Sequence, residues 1–151
     1  MVDSNTLSEL SELSKELNER SDTLNDLIAG LNNQLASFNP GLEFWLDHPL
    51  LDSGIRCAGR RVLVYLGYAK VDEHWQLALR QDELDYEWDR DEPVEDPVPM
   101  RLERPTSLLK SSRDIRLLAV EKFDDLLHGL KQTVKVKLDA IKRAETFARP
   151  K

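Results

Sequence analysis

The residues of this chain that are able to carry out chemistry are few and lie far apart. Asp47-His48 places a carboxylate next to an imidazole, a pairing used in acid–base catalysis where the fold brings a substrate to it. Cys57 is the single cysteine, and the neighbouring Arg56 and Arg60 favour its thiolate, the nucleophilic form. A solvated strand end and an ordinary loop thiol are the simpler interpretations. We therefore predict no catalytic residue, and a small enzyme or ligand-binding protein built around Cys57 and His48 stays an alternative hypothesis.

Sequence motifs for metal and nucleotide sites are missing. The histidines, His48, His74 and His128, are scattered, and the chain contains neither HExxH nor a pair of cysteines. The phosphate-binding loops GxxxxGK[ST] and GxGxxG and the nucleophile motif GxSxG are missing as well. The sequence therefore predicts no metal ion and no cofactor.

The most unusual segment is an acidic strip at residues 82–96, which reads DELDYEWDRDEPVED. Its alternating acids resemble the spacing of an EF-hand loop, but Arg90 occupies the position of the required glycine and Asp96 that of the bidentate glutamate. Calcium binding is therefore not predicted. Acidic side chains steer a basic partner and aromatic side chains anchor an interface, so we predict a partner-binding surface here. Its residues are Asp85, Tyr86, Glu87, Trp88, Asp89 and Asp91. The alternative is a solvated loop whose aromatic rings fold back onto the sheet.

A long, acidic first helix is predicted over residues 6–38. Thr6 and Glu9 form a capping box at its start, and Asn39-Pro40-Gly41 ends it. At about 1.5 Å per residue this helix spans roughly 50 Å, so it must lie along a partner. The residues predicted to make that contact are spaced seven apart, as in a coiled coil: Leu10, Leu17, Leu24 and Leu31.

A long, basic last helix is predicted over residues 107–148. Its contact residues are also seven apart: Val120, Leu127, Val134 and Ile141. Residues 1–41 carry a net charge of −5 and residues 107–151 a net charge of +5, so the two helices attract each other. We therefore predict that they pair as an antiparallel helical hairpin, either within one chain or between two chains.

Between the helices, residues 42–103 have the alternating pattern of β-strands. Residues 61–71 and 75–79 are rich in apolar side chains, and the polar turn between them predicts a hairpin. A fourth strand near residues 98–102 contains Pro99, which restricts it to a sheet edge. The predicted fold is α+β: a single domain, residues 1–151, with a small antiparallel β-meander of three to four strands and two long flanking helices.

Self-association is predicted from the strand at residues 61–71, since both of its faces are apolar and both need cover. Two helices cover one face of a small sheet, so a homodimer or a higher homo-oligomer is expected. The net charge of −7 argues against nucleic-acid and membrane-surface binding, although the last helix is basic. No apolar run is long enough to cross a membrane, and the polar N-terminus and single cysteine favour a cytoplasmic location.

The leading functional hypothesis is therefore a non-enzymatic, cytoplasmic protein-interaction module. It self-associates and presents the acidic strip, residues 82–96, to another protein whose identity the sequence leaves open. The alternative from a different class is an inhibitor or immunity protein whose acidic strip blocks a nucleic-acid-binding or toxin target.

Overall fold

The computed structural model describes residues 3–53, 60–85, 88–89, 92–93, 99–101 and 104–149. The α-helices are α1 (Ser4–Phe38), α2 (Arg113–Val120) and α3 (Phe123–Ala148), and a 3-10 turn lies at Leu108–Lys110. The strands are β1 (Phe44–Trp45), β2 (Leu51–Asp52), β3 (Arg60–Val71), β4 (His74–Asp85), β5 (Trp88–Asp89), β6 (Glu92–Pro93), β7 (Pro99–Arg101) and β8 (Thr106–Ser107). The predicted α+β class with long N- and C-terminal helices is confirmed.

Helix α1 begins two residues before the predicted start because Asp3 caps it. The Asp3 carboxylate accepts a hydrogen bond from the backbone N–H of Asn5 at 3.0 Å and another from the Thr6 hydroxyl at 3.1 Å. The first bond satisfies an amide group that has no partner inside the first turn. The helix ends where predicted, since Asn39 takes the left-handed conformation and its N–H donates to the carbonyl of Leu35 at 3.0 Å.

The sheet is organised around the β3–β4 hairpin, as predicted. Its two-residue turn, Asp72-Glu73, has positive φ at both positions, 49° and 67°, which matches the twist of the flanking strands. Strands β1 and β2 pair with the outer edge of β3, and β7 and β8 pair with the outer edge of β4; all of these pairs are antiparallel. Pro99 lies in an edge strand, the position predicted for a residue without a backbone N–H.

The helices cover one face of this sheet and form the main core with it. Helix α1 lies over β4, whereas α3 lies over β1 and β3. Asn32 fixes the position of α1, because its side-chain oxygen accepts the backbone N–H of Leu77 at 2.8 Å. The buried members of this core are Ile28, Leu35, Val64, Leu66, Tyr68, Leu77, Leu79, Leu108, Ala119, Phe123, Leu126 and Leu130.

The other face of the sheet is partly covered by the chain itself. Trp45, from β1, lies flat against Gly67, where any side chain would overlap the indole ring. Arg80 is stacked between Trp45 and Tyr65, with its guanidinium carbon 5.0 Å and 4.8 Å from the two ring centres. The Arg80 guanidinium also contacts Asp82 at 3.2 Å. The sequence predicted that this face needs additional cover, and β1 supplies part of it.

Helix α1 and the segment formed by α2 and α3 run in the same direction. At the start of α2, Arg113 donates a hydrogen bond to Ser21 at 3.1 Å, and one turn later Arg116 donates to Asn25. The last turn of α1, at Phe38, borders the middle of α3. Contacts therefore follow the same order along α1 and along the α2–α3 segment. The antiparallel hairpin predicted for the helices therefore does not form within one chain.

Each helix covers a different part of the sheet. Helix α1 contacts β4, and its C-terminal half borders the tip of the β3–β4 hairpin. Helix α2 follows β8, which lies at the outer edge of β4, and α3 lies over β1 and β3. The sequence period indicates that each helix has an apolar face, but it carries no information about these strand positions.

Residues 107–148 were predicted to form one helix. In the structure this segment contains the 3-10 turn and two helices, α2 and α3. Ser112 caps α2 by accepting the N–H of Ile115 at 3.4 Å. The helical path is interrupted at Glu121-Lys122, between α2 and α3. Gly129 lies inside α3, where the Phe44 ring rests against it.

Candidate self-association surface

The first half of α1 extends beyond the sheet as an acidic arm, which we define as residues 3–20. All of its side chains are exposed. Its leucines at positions 7, 10, 13 and 17 form a stripe along one side, and each retains between 49 and 63% of its surface exposure. Apolar side chains exposed in a row, in contrast to scattered ones, are typical of a contact surface.

The last 18 residues of α3, together with Arg149, form a basic arm, residues 131–149. Val134, Leu138 and Ile141 form its apolar stripe and are 36 to 55% exposed. At about 1.5 Å per residue the acidic arm is roughly 27 Å long and the basic arm roughly 28 Å. Because α1 and the α2–α3 segment run in the same direction, the two arms point away from each other.

The charges of the two arms are opposite. Residues 3–20 contain five acidic and two basic residues, a net charge of −3, and residues 131–149 contain six basic and two acidic residues, a net charge of +4. The acidic residues Glu9 and Glu16 directly precede Leu10 and Leu17 of the stripe. Charges at such positions border the contact surface of a helix pair and select its partner.

An apolar groove lies at the inner end of the basic arm. It is a cavity of about 410 Å³ between the end of α1 and α3. Its lining residues are Leu35, Phe38, Pro40, Leu127, Leu130, Lys131, Val134 and Lys135. Val134 belongs to both the groove and the stripe, so the two form one continuous apolar surface with two lysines beside it.

The predicted helix-pairing residues divide into two groups along this surface. Leu24, Leu31, Val120 and Leu127 are partly buried against the core formed with the sheet. Leu10, Leu17, Val134 and Ile141 are exposed on the arms. The residues of the seven-residue repeat thus pack against the core in the middle of the molecule. On the two arms the repeat continues with exposed side chains.

A second, polar cleft of about 440 Å³ lies between α1 and the tip of the β3–β4 hairpin. Tyr68 is stacked on Trp75, with ring centres 5.7 Å apart, and its buried hydroxyl lacks a hydrogen-bond partner among the described residues. Burial raises the pKa of Tyr68 because the phenolate loses its hydration there. The amides of Asn32 and Gln76 bind the backbone of Leu77 and Val71, so they stabilise the fold.

The histidines do not come together in a catalytic or metal site. His48, His74 and His128 are all exposed, and Asp47 beside His48 is exposed too. Within the part of the chain that the structure describes, no group of three or more His, Cys, Asp or Glu side chains is placed to hold a metal ion. Cys57 lies outside the described residues, so the predictions that concern its reactivity stay untested.

The acidic strip is described only in part. Strand β4 runs to Asp85, so the beginning of the strip belongs to the sheet. Trp88–Asp89 and Glu92–Pro93 form a short antiparallel pair of their own. Tyr86, Glu87 and Asp91 lie outside the described residues, and the partner-binding role of the strip stays a prediction.

The Trp45–Arg80–Tyr65 stack was not foreseen from the sequence, although a signal for it exists. The two-residue turn at Asp72-Glu73 fixes the register of the hairpin and places Tyr65 opposite Arg80. Directly opposed side chains on antiparallel strands lie on the same face and touch. The position of Trp45 depends on the pairing of β1 with β3, which no local pattern determines.

Comparison of the chain with protein-family models, with curated proteins and with solved structures finds no match. Among the described helices, none combines the length and the apolar character needed to cross a membrane. The functional argument therefore depends on the surfaces of the chain itself.

Proposed function

We propose that this protein is a non-enzymatic protein-interaction module that self-associates through its projecting helix arms. The observation that carries the proposal is the continuation of both apolar stripes beyond the sheet, on arms of similar length and opposite charge. An isolated amphipathic helix gains little stability from its own hydrogen bonds, so packing of its apolar face decides whether it persists in water. A second copy of the chain offers a matching surface for each arm.

The size of the expected gain supports this proposal. Complete burial of a leucine side chain contributes about 1.5–3 kcal/mol, so covering the exposed half of one contributes roughly 1 kcal/mol. Seven such positions on the two arms sum to roughly 7 kcal/mol per arm pair before the entropy cost of association. A dimer with two such pairs is expected to persist at micromolar concentration.

Sedimentation equilibrium tests the proposal. We expect the wild-type chain to have at least twice the mass of one chain at 10 to 100 μM, roughly the range in which a contact of this size is saturated. Replacing Leu10 and Leu17 by aspartate is expected to abolish association. The matched control replaces Asn5 and Ser8 by aspartate, which adds the same charge to the acidic arm on the side opposite its stripe. A wild-type chain that stays monomeric over this range contradicts the proposal.

The acidic strip, residues 82–96, belongs to the proposal as the surface offered to a different protein. Alternating acids and aromatic residues support it, because aromatic anchors and charge steering are common to protein interfaces. Replacing Trp88 by alanine together with charge reversal at Asp85, Glu87 and Asp89 is expected to abolish capture of a confirmed partner while leaving self-association intact. Unchanged capture would refute the role of the strip. The single cysteine keeps the cytoplasm as the predicted location.

The inhibitor hypothesis differs in the class of its target. If the strip occupies a nucleic-acid channel, DNA or RNA should compete with this protein for the partner. A lack of competition at low salt, where nucleic acid binds most tightly, would contradict it.

A further inference from the structure

We infer that the acidic arm of one copy, residues 3–20, binds the basic arm of a second copy, residues 131–149. The inference rests on the proposed self-association and specifies which surfaces meet. It also assigns an occupant to the apolar groove at the inner end of the basic arm: the leucine stripe of the acidic arm from the other copy.

Pairing of the two arms within one chain is prevented by the fold. Ser21 bonds to Arg113 at the start of α2, and Phe38 and Val134 line the same groove, so α1 and the α2–α3 segment run in the same direction and the arms point away from each other. The acidic arm of a chain therefore projects away from its own basic arm. The acidic and basic arms, whose opposite charges predict that they pair, can therefore pair only between two copies of the chain.

Pairing of like arms is opposed by charge. Two acidic arms would bring together net charges of −3 and −3, and two basic arms +4 and +4, whereas unlike arms combine −3 with +4. The charges also border the stripes. Glu9 and Glu16 precede leucines of the acidic stripe, and Lys135 and Lys142 follow Val134 and Ile141 of the basic stripe. Opposite charges at the borders of an apolar seam favour unlike pairing over like pairing.

The dimensions of the two surfaces agree. The acidic arm comprises 18 residues and the basic arm 19, so their lengths differ by about one helical rise. The apolar surface of the basic arm extends inward through Val134 into the groove of about 410 Å³. Lys131 and Lys135 lie beside this groove. An apolar side chain flanked by a carboxylate fits there, and the acidic stripe offers that combination at both Leu10 and Leu17.

A complementation experiment tests the inference. The first variant, Leu10→Asp with Leu17→Asp, lacks a functional acidic stripe, and the second, Leu138→Asp with Ile141→Asp, lacks a functional basic stripe. Each variant alone is expected to be monomeric by sedimentation equilibrium. Their mixture is expected to form a 1:1 complex through the single remaining unlike pair. All four positions are exposed, so circular dichroism and the urea midpoint should show unchanged folding of both variants.

The alternatives give different results. Association of the second variant alone would show that acidic arms bind each other, and association of the first alone would show that basic arms do; either result overturns the inference while self-association stands. A mixture that stays monomeric although wild type associates overturns it too. A monomeric wild type refutes the proposed function as well. Because two linked pairs bind on the order of 10²–10⁴-fold more tightly than one, the mixture is measured at up to millimolar concentration.

Charge exchange tests the bordering residues. Reversal of Glu9 and Glu16 to lysine, or of Lys135 and Lys142 to glutamate, is expected to weaken association about tenfold at low salt. Combining all four reversals in one chain restores opposite charges and is expected to recover the wild-type affinity. If the combined variant associates no better than either parent, these side chains do not face each other and the charge argument is wrong.

Discussion

Replacing Gly129 by alanine tests the packing of α3 on the sheet. The same replacement at an ordinary helix glycine stabilises a protein, whereas at Gly129 we expect it to destabilise the protein. Alanine stabilises an exposed helix interior by about 1 kcal/mol relative to glycine. At Gly30, in the middle of α1, a methyl group would meet no atom within 4 Å, so Gly30→Ala should gain this full amount. The two glycines therefore form a matched pair.

At Gly129 the same methyl group would overlap the Phe44 ring, with three ring carbons at 3.0 Å or closer. Phe44 lies on β1, opposite Tyr68, and packs against the main core, so its ring has little space to retreat. Overpacking of this kind costs about 1–3 kcal/mol. After subtraction of the gain in helix propensity, Gly129→Ala should destabilise the protein by roughly 1 kcal/mol.

Urea unfolding at one fixed protein concentration measures both variants, since the proposed self-association would make stability depend on concentration. Thermal midpoints should move by about +3 °C for Gly30→Ala and about −3 °C for Gly129→Ala. Combining Gly129→Ala with Phe44→Leu should cost less than the sum of the single changes, because the smaller side chain leaves room for the methyl group. Equal stabilisation by both glycine substitutions would refute the contact between α3 and β1.

Two further predictions concern buried polar groups at the polar cleft. Asn32→Ala should destabilise the protein by roughly 1–2 kcal/mol in urea unfolding, because the backbone N–H of Leu77 loses its acceptor, whereas the exposed neighbour Asn33→Ala should cost little. Equal effects would contradict the Asn32 bond. Tyr68→Phe should be neutral or stabilising near pH 7, since the hydroxyl lacks a partner among the described residues. Burial raises the pKa of Tyr68 in the folded state above its unfolded value of about 10. Above pH 10 the unfolded state therefore loses this proton more readily than the folded state, and the free energy of unfolding falls as the pH rises. The advantage of the phenylalanine variant should therefore grow above pH 10, and a constant difference from pH 8 to 11 would contradict this.

The fold class and the central hairpin could be predicted because their signals are local. Strand period, a two-residue polar turn and a proline at the edge position are all encoded within a few residues, and each has its predicted role in the structure. The start of α1 differs by two residues because Asp3 and Thr6 are both able to cap a helix, and the structure uses Asp3 as the cap. Competition between neighbouring capping residues limits how accurately the ends of a helix can be predicted. It does not change whether the segment is a helix or a strand.

The direction of the helices and the stack at Arg80 could not be predicted, because they depend on contacts between distant segments. Whether α1 and the α2–α3 segment run in the same direction is decided by contacts such as the one between Ser21 and Arg113, which lie 92 residues apart. Likewise, Trp45 meets Arg80 only because β1 pairs with β3 at Gly67. A seven-residue period shows that a helix has an apolar side, and it is the same whether that side meets a sheet or another helix.

The length of the helices explains why the arms extend beyond the core. Helix α1 has 35 residues and is therefore about 52 Å long, and α3 with 26 residues is about 39 Å long. The leucines of α1 that pack against the core lie between Leu24 and Leu35, a stretch of only about 17 Å. The leucines at positions 7 to 17 precede this stretch and are exposed. The overhang is thus a consequence of helix length against the size of the core, and an apolar stripe along the overhang supports the proposed contact with a second copy of the chain.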